Sequence, residues 1–242
     1  MTETRNAAPG KLFLIPVTLG ESELAAVIPQ LVQQRVRVLE YFVAENPKSA
    51  RAYLKQVGMA KPLQELRIGT LNEHTPEAAI AELAAPLLAG HDLGVMSEAG
   101  CPGIADPGAK LVRYAHQRGI RVVPLVGPSS ILLALMSSGL NGQSFAFHGY
   151  LPVAEVERTR ALRELEKQSR RLNQTQIFIE TPYRNQKLMH SILGTCANTT
   201  LLCVAADISL AGEEIRTRTV AAWKKDQPQL ERRPALFLLQ AN

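Results

Sequence analysis

Residues Leu93–Ser130 constrain the fold more than any other stretch of this chain, reading LGVMSEAGCPGIADPGAKLVRYAHQRGIRVVPLVGPSS. Two apolar runs, Leu93–Met96 and Ile120–Val126, are rich in β-branched residues and too short for helices, so they read as parallel strands. Lys110–Gln117 between them has helical composition, with Leu111 and Ala115 one turn apart and able to face a sheet together. Each strand runs into a loop of small residues, Ser97-Glu98-Ala99-Gly100-Cys101-Pro102-Gly103 after the first and Gly127-Pro128-Ser129-Ser130 after the second. Ligands of open parallel sheets sit at the carboxyl ends of the strands. Glycine there lets backbone approach a ligand and proline stiffens the loop. On position and composition alone, the two loops are either the floor of a small-ligand site or ordinary strand-to-helix turns.

The residues themselves carry a resemblance. Ser97-Glu98-Ala99-Gly100-Cys101-Pro102, Asp106-Pro107-Gly108 and Val122–Ser129 look like signature segments of the tetrapyrrole methylase superfamily, the class III S-adenosylmethionine-dependent methyltransferases. Within it the chain is most similar to the branch that methylates a cytidine ribose 2′-hydroxyl in small-subunit (16S) ribosomal RNA. The likeness runs from about Lys11 to Gln240. It implies an α/β fold of two consecutive α/β domains, residues 10–127 with a mostly parallel sheet and 128–242 with a mixed one, and a cofactor cleft between them. It implies S-adenosyl-L-methionine as the cofactor. The candidates to line its site are Met96, Ser97, Gly100, Ile104, Pro128, Ser129 and Ser130 from the first domain, and Phe178, Ala206, Pro234 and Ala235 from the second. A homodimer and ribosomal RNA or the small ribosomal subunit as partner follow from the same resemblance.

Catalytic candidates come from two further segments. Phe145–Pro152 looks like the family's Phe-x-Phe-x-Gly-Phe-Leu-Pro segment, with Tyr150 at the aromatic position, and Glu180-Thr181-Pro182-Tyr183-Arg184 resembles the RNA-methylating Glu-Ser-Pro-His-Arg motif. A sulfonium already carries an activated methyl group, so catalysis needs alignment of donor, carbon and acceptor more than a nucleophile. The acceptor proton can leave through Glu98, Glu180, Tyr183 or water. Arg184 either receives a substrate phosphate or locks its turn by a bidentate contact to Glu180.

The chain also departs from the branch. Glu45-Asn46-Pro47-Lys48 replaces an acid-Asp-Thr-Arg motif, Glu21 stands where the first family turn ends in Asn, Ala206 and Leu210 stand where the relatives carry cations, and Arg233-Pro234 replaces a Lys-Gly pair. Three readings stay open on this footing: a ribosomal RNA ribose methyltransferase, a methyltransferase for a tetrapyrrole or other small metabolite, and a non-catalytic S-adenosylmethionine-binding paralogue.

Composition narrows the setting. No apolar run approaches the roughly 20 residues needed to cross a bilayer. Met1–Pro9 lacks the apolar core of a signal peptide and reads as a short disordered lead-in. The three cysteines show no close metal-ligand spacing, so no metal is expected, and they suit a reducing cytoplasm. The net charge of +5 permits an anionic partner. Much of it lies on an expected helix, Glu157–Leu172, whose Arg158, Arg160, Arg163, Lys167, Arg170 and Arg171 are either a solvated face laced to Glu155, Glu164 and Glu166 or a guide for phosphates.

Elsewhere the periodicity predicts strands over Lys11–Val17, Arg37–Ala44, Leu66–Leu71, Phe145–Pro152, Thr175–Ile179, Thr200–Ala205, Ile215–Thr219 and Ala235–Leu239. Helices are expected over Glu23–Gln34 with Thr18 or Ser22 as cap, Lys48–Val57 behind an Asn46 cap, Glu77–Ala89 and Ile131–Ser138.

Overall fold

A computed structural model describes residues 8–241, so the expected lead-in falls, up to residue 7, outside the described residues. The chain divides at Ser129–Ser130 into two compact units, each built on its own five-stranded sheet.

The first unit runs β1 (Leu12–Ile15), α1 (Leu24–Val27), α2 (Gln30–Arg37), β2 (Tyr41–Ala44), α3 (Pro47–Val57), β3 (Arg67–Thr70), α4 (Ala79–Leu83), α5 (Ala85–Leu88), β4 (Leu93–Met96), α6 (Gly108–Gln117) and β5 (Val122–Pro124). Its strands are all parallel, in the order β3-β2-β4-β1-β5. Alternate residues of each central strand enter opposite cores: Phe13, Ile15, Phe42 and Met96 on one face with α2 and α3, Leu12, Val43, Leu93 and Val95 on the other with α4, α5 and α6. Covering both faces is why these strands read as continuous apolar runs. Leu111 and Ala115 of α6 are fully buried against the second face, as their spacing predicts.

Three local expectations fail for identifiable reasons. The helix expected over Glu23–Gln34 is broken by Pro29, which lacks an N–H to continue α1 and instead caps α2. Neither Thr18 nor Ser22 caps it, since the helix begins only at Leu24 and Glu23 stands at the cap. The strand expected from Arg37 begins at Tyr41, because α2 extends to Arg37, whose Nε donates to the Val57 carbonyl at 2.8 Å. The helix expected over Glu77–Ala89 is two short ones meeting at Ala84, where Pro86 cannot donate back to the preceding turn. By contrast α3 begins as expected, with Pro47 at its first position and Asn46 Oδ1 accepting from the Lys48 N–H at 2.9 Å.

The second unit runs α7 (Ser130–Ser138), β6 (Phe145–Tyr150), α8 (Glu155–Leu172), β7 (Thr175–Ile179), α9 (Asn185–Thr195), β8 (Leu201–Ala206), β9 (Glu214–Thr219), α10 (Val220–Lys225) and β10 (Ala235–Gln240). The sheet order is β6-β7-β10-β8-β9, with β6 and β7 parallel and β10 antiparallel to both of its neighbours. Its core gathers Phe178, Phe237, Leu162, Met189, Ile192 and Trp223. Trp223 is 1% exposed and its indole N–H donates to the Leu202 carbonyl at 2.8 Å.

The charged helix α8 is neither of the uniform faces the sequence allows. Arg158 is buried, its Nε donating to Ser191 Oγ at 2.9 Å and its Nη1 to the Val153 carbonyl at 2.6 Å, so it clasps the segment before α8 onto α9. Glu166 accepts from the Ala197 N–H and the Thr200 hydroxyl, tying α8 to the turn before β8. Arg160, Arg163 and Lys167 remain exposed.

Candidate functional site

In the first unit the strand order does something the sequence could not show: β1 lies between β4 and β5, so the two small-residue loops flank the end of a third strand. That end is held from both sides. The Val17 N–H donates to the Gly100 carbonyl at 2.9 Å, and the Tyr53 hydroxyl of α3 donates to the Pro16 carbonyl at 2.9 Å. Burial pushes the Tyr53 phenol up to about 12, so it stays a donor. Gly127 meets Pro16 so closely that a Cβ there would stand 2.3 Å from the proline ring. Gly100 has φ +71°, and a Cβ would lie 3.2 Å from Leu19 and 3.3 Å from the Pro128 carbonyl. The Cys101 thiol approaches that same carbonyl at 3.4 Å. The requirement for small residues is therefore steric, and three loops lock into one surface.

Asp106 fixes the rest of the β4–α6 connection. One carboxylate accepts from the Gly103 N–H at 2.9 Å and the Gly108 N–H at 2.7 Å, and burial pushes it upward despite those two bonds. Ser97 turns its hydroxyl onto the Ala99 carbonyl at 3.2 Å. Of the first-unit candidates, Ser129 is half-buried, Pro128 and Gly100 buried, and Ile104 is 49% exposed; Ser130, half-buried, opens the second unit. Met96 is 2% exposed within the core, so its side chain supports the loop from beneath.

Glu98 is exposed and reaches Ser49 Oγ of α3 at 3.5 Å. Glu45, after β2, is raised first by burial and then by the charges of Glu98, Asp106 and Glu73. The carboxyl ends of β2, β3 and β4 thus carry a negative field, suited to a cationic sulfonium. His74 nearby is exposed, while Asn72 and Thr75 hold their turn by mutual hydrogen bonds. A separate groove of ≈ 690 Å³, lined by Tyr41, Arg67, Leu93 and His91 with α4 and α5, shares no residue with the small-residue loops.

In the second unit Glu180 follows β7 with its side chain 2% exposed. Burial works to raise its carboxyl, but the Arg184 guanidinium and the Thr181 N–H, both at 2.7 Å on one oxygen, outweigh it and hold it below the usual carboxylate range. The expected bidentate lock is a single contact: Nη2 alone reaches Glu180, and the buried Nε of Arg184 has no partner. Tyr183 is 79% exposed.

The remaining second-unit candidates converge at the same end of the sheet. Ala206 and Ala235 are register partners on β8 and β10, and the Asp207 N–H donates to the Pro234 carbonyl at 2.9 Å. Pro234 is exposed, whereas Phe178 is fully buried and stacks on Phe237, so it shapes the core beneath. Two residues that were not among the site candidates organise this end. Arg233 binds Asp207 at 2.6 Å and Glu214 at 3.2 Å, and its remaining N–H groups reach the Gly212 and Gln229 carbonyls. Asn185 donates to the Arg233 carbonyl at 2.6 Å, leaving its own buried Oδ1 unpartnered. Asp207, Ser209 and Arg232 all adopt positive φ, so these loops are strained into place. Arg233, which stands in place of the Lys of the expected Lys-Gly pair, is thus spent on holding these loops together.

The sequence pattern of the family described as Tetrapyrrole (Corrin/Porphyrin) Methylases matches residues 12–223. The chain belongs to this family. It is an S-adenosylmethionine-dependent methyltransferase, as the sequence motifs imply. Among curated relatives, it is 34% identical over 226 residues to "Ribosomal RNA small subunit methyltransferase I" of Vibrio cholerae, covering 91% of this chain and 73% of the relative. It is 30% identical to the protein of that name from Xylella fastidiosa, covering 89% and 74%. The solved structure of the methyltransferase CobJ superposes with a TM-score of 0.63 at 14% identity, covering 96% of this chain and 94% of that one. Uroporphyrin-III-C-methyltransferase from Thermus thermophilus gives 0.54 at 20% identity, covering 96% and 92%. These two show the α/β methylase fold. Among the described residues no helix is long and apolar enough to cross a membrane.

Proposed function

We propose that the chain methylates a ribose 2′-hydroxyl of ribosomal RNA in the small ribosomal subunit. The observation that carries this reading is the match, over about nine tenths of the chain, to relatives named for small-subunit ribosomal RNA methylation. S-adenosylmethionine, when bound, supplies a methyl group already activated by its sulfonium. The residues present fit it: the cradle at Gly100, Gly127 and Pro128 leaves no room for larger side chains, and buried polar atoms of Arg184, Asn185 and Ser209 lack partners in the protein.

In this reading Ser97, Gly100, Ile104, Pro128 and Ser129 are the cofactor residues of the first unit, and Ser130, Ala206, Pro234 and Ala235 those of the second. Met96 and Phe178 keep their loops in place from the core. The chain's work is alignment. Glu180 is already ionised and bound to Arg184, which makes it a weak base. Its role is to hold Arg184, whose side chain is 41% exposed, toward a substrate phosphate. Tyr183 offers a phenol beside the acceptor, and the exposed Glu98 or solvent takes the proton.

The chain acts in the cytoplasm as a homodimer in the same proposal; Leu132 and Met136 of α7, 56% and 79% exposed, supply an apolar contact surface. Sedimentation giving only 26.5 kDa material at micromolar concentration would overturn the dimer. The acceptor is tested by comparing ribose methylation of small-subunit RNA from cells with and without the gene, paired with labelled methyl transfer to purified subunits. Unchanged methylation at every site together with no transfer would reject RNA and leave a small-metabolite acceptor.

A further inference from the structure

β6 carries an irregularity at its last residues. Phe147 pairs with Ile177 and Tyr150 with Ile179, so three steps along β6 match two along β7. The extra residue is absorbed at Gly149, which adopts φ +64°, a conformation that costs glycine nothing. Bulges re-aim a side chain. Here the outcome is a tyrosine 59% exposed at the end of an edge strand, next to the strand that leads into Glu180 and Arg184. Tyr183, 79% exposed, is another large aromatic left in solvent, on the connection from β7 to α9. Tyr150 is the register partner of Ile179, the residue before Glu180, and Glu180 holds Arg184 at 2.7 Å, so the end of β6 lies beside that pair.

Two residues beyond Tyr150 the chain enters a groove of ≈ 610 Å³ on α8, lined by Pro152, Glu157, Arg160, Arg163, Glu164 and Lys167. Arg160, Arg163 and Lys167 recur at helical spacing on one side of α8, over about 10 Å of axis. A cationic track that leads to exposed aromatic rings is the arrangement by which proteins hold single-stranded nucleic acid: phosphates on the charges, bases on the rings. A helix charge run alone has no aromatic partner in the sequence; the bulge and the β6–β7 pairing supply it.

We propose that Tyr150 and Tyr183 form a stacking platform for an unpaired nucleobase of the substrate RNA beside Arg184, with the α8 groove holding the adjoining phosphates. The inference rests on the RNA reading and names the feature recognised, a splayed-out base in a single-stranded segment. Tyr183 on this account positions the acceptor nucleotide and is not required as a proton carrier.

The experiment uses the full chain and a short single-stranded oligoribonucleotide. Tyr150→Trp and Tyr183→Trp are made separately, with the buried Trp223 of the wild type as background. The oligonucleotide quenches the new emission, and an abasic oligomer of the same length does not. Tyr150→Ala and Tyr183→Ala each weaken oligonucleotide binding about 5- to 150-fold, from the ~1–3 kcal/mol that one stacked base contributes. Tyr→Phe at either position keeps the affinity, and cofactor titration is unchanged in all variants. Charge reversal of Arg163 and Lys167 weakens the abasic oligomer as well. Alanine variants that bind like wild type, or tryptophan reporters unquenched by an oligonucleotide that does bind, would overturn the platform while leaving the RNA reading intact. A wild-type protein that neither binds nor methylates any RNA removes the RNA reading, and the platform with it.

Discussion

Arg233→Met tests the account of the second unit most directly. Arg233 makes contacts of 2.6 and 3.2 Å to Asp207 and Glu214, and of 2.9 and 3.1 Å to two carbonyls, with its side chain 25% exposed. A hydrogen bond to a charged group contributes about 1.5–3 kcal/mol when well made, and solvent screening reduces this at a partly exposed site. Counting the Asp207 contact in full and the others at a fraction gives about 2–4 kcal/mol. Part of that loss is the cost of leaving Asp207 without its cation, whereas Glu214 keeps Arg216 at 2.6 Å. Met keeps the apolar stem, so packing is largely preserved. The assay is urea unfolding followed by emission of Trp223, the only tryptophan, which lies in the core of the same unit. Arg233→Lys recovers part of the loss, since one ammonium cannot span both carboxylates and both carbonyls. Because the Asp207 N–H holds the Pro234 carbonyl, S-adenosylmethionine affinity falls in parallel. A Met variant unfolding within about 0.5 kcal/mol of wild type, the size of an ordinary surface change, would refute the reasoning.

Other consequences can be measured independently. Gly100→Leu abolishes cofactor binding in calorimetry, with circular dichroism unchanged, because a side chain at φ +71° meets Leu19 and the Pro128 carbonyl. Glu45→Gln raises thermal stability at neutral pH. The folded state holds the Glu45 carboxyl above 4.5, so its contribution is present below that pH and lost as pH rises through the raised value, and the two proteins converge in acid. Arg184→Ala lowers the rate of methyl transfer more than it weakens RNA binding. It also raises the Glu180 carboxyl, read by carbon NMR, since burial then acts with one fewer opposing partner.

What the sequence revealed and what it withheld divide along physical lines. The β4–α6–β5 crossover and the Asn46–Pro47 start of α3 were legible because each depends on residues within a few positions of one another. Pro29 and Pro86 were legible in principle, as residues without an N–H inside expected helices, yet the apolar spacing around them argues for unbroken helices. Strand order was not legible: nothing local tells that β1 separates β4 from β5. Nor was Arg158, whose charge suggests solvent while three-dimensional neighbours bury it. At the candidate site the small-residue loops announced themselves by composition. The Arg233–Asp207–Glu214 cluster did not, because its members come from three separate segments and the family likeness places a different pair there.

The central place of β1 has a consequence for how the protein is born. Leu12–Ile15 emerges before the other strands of its unit, yet its hydrogen-bonding partners on both sides, β4 and β5, are the last two made there. Such distant pairings carry a large loop-closure cost and fold slowly. Until β5 has been synthesised and docked, Val17 and Gly100 can meet but Pro16 has no Gly127 to close against. Ligand competence of the first unit is therefore the final event of its assembly, and a nascent chain stalled before Val122 exposes an apolar edge on β1.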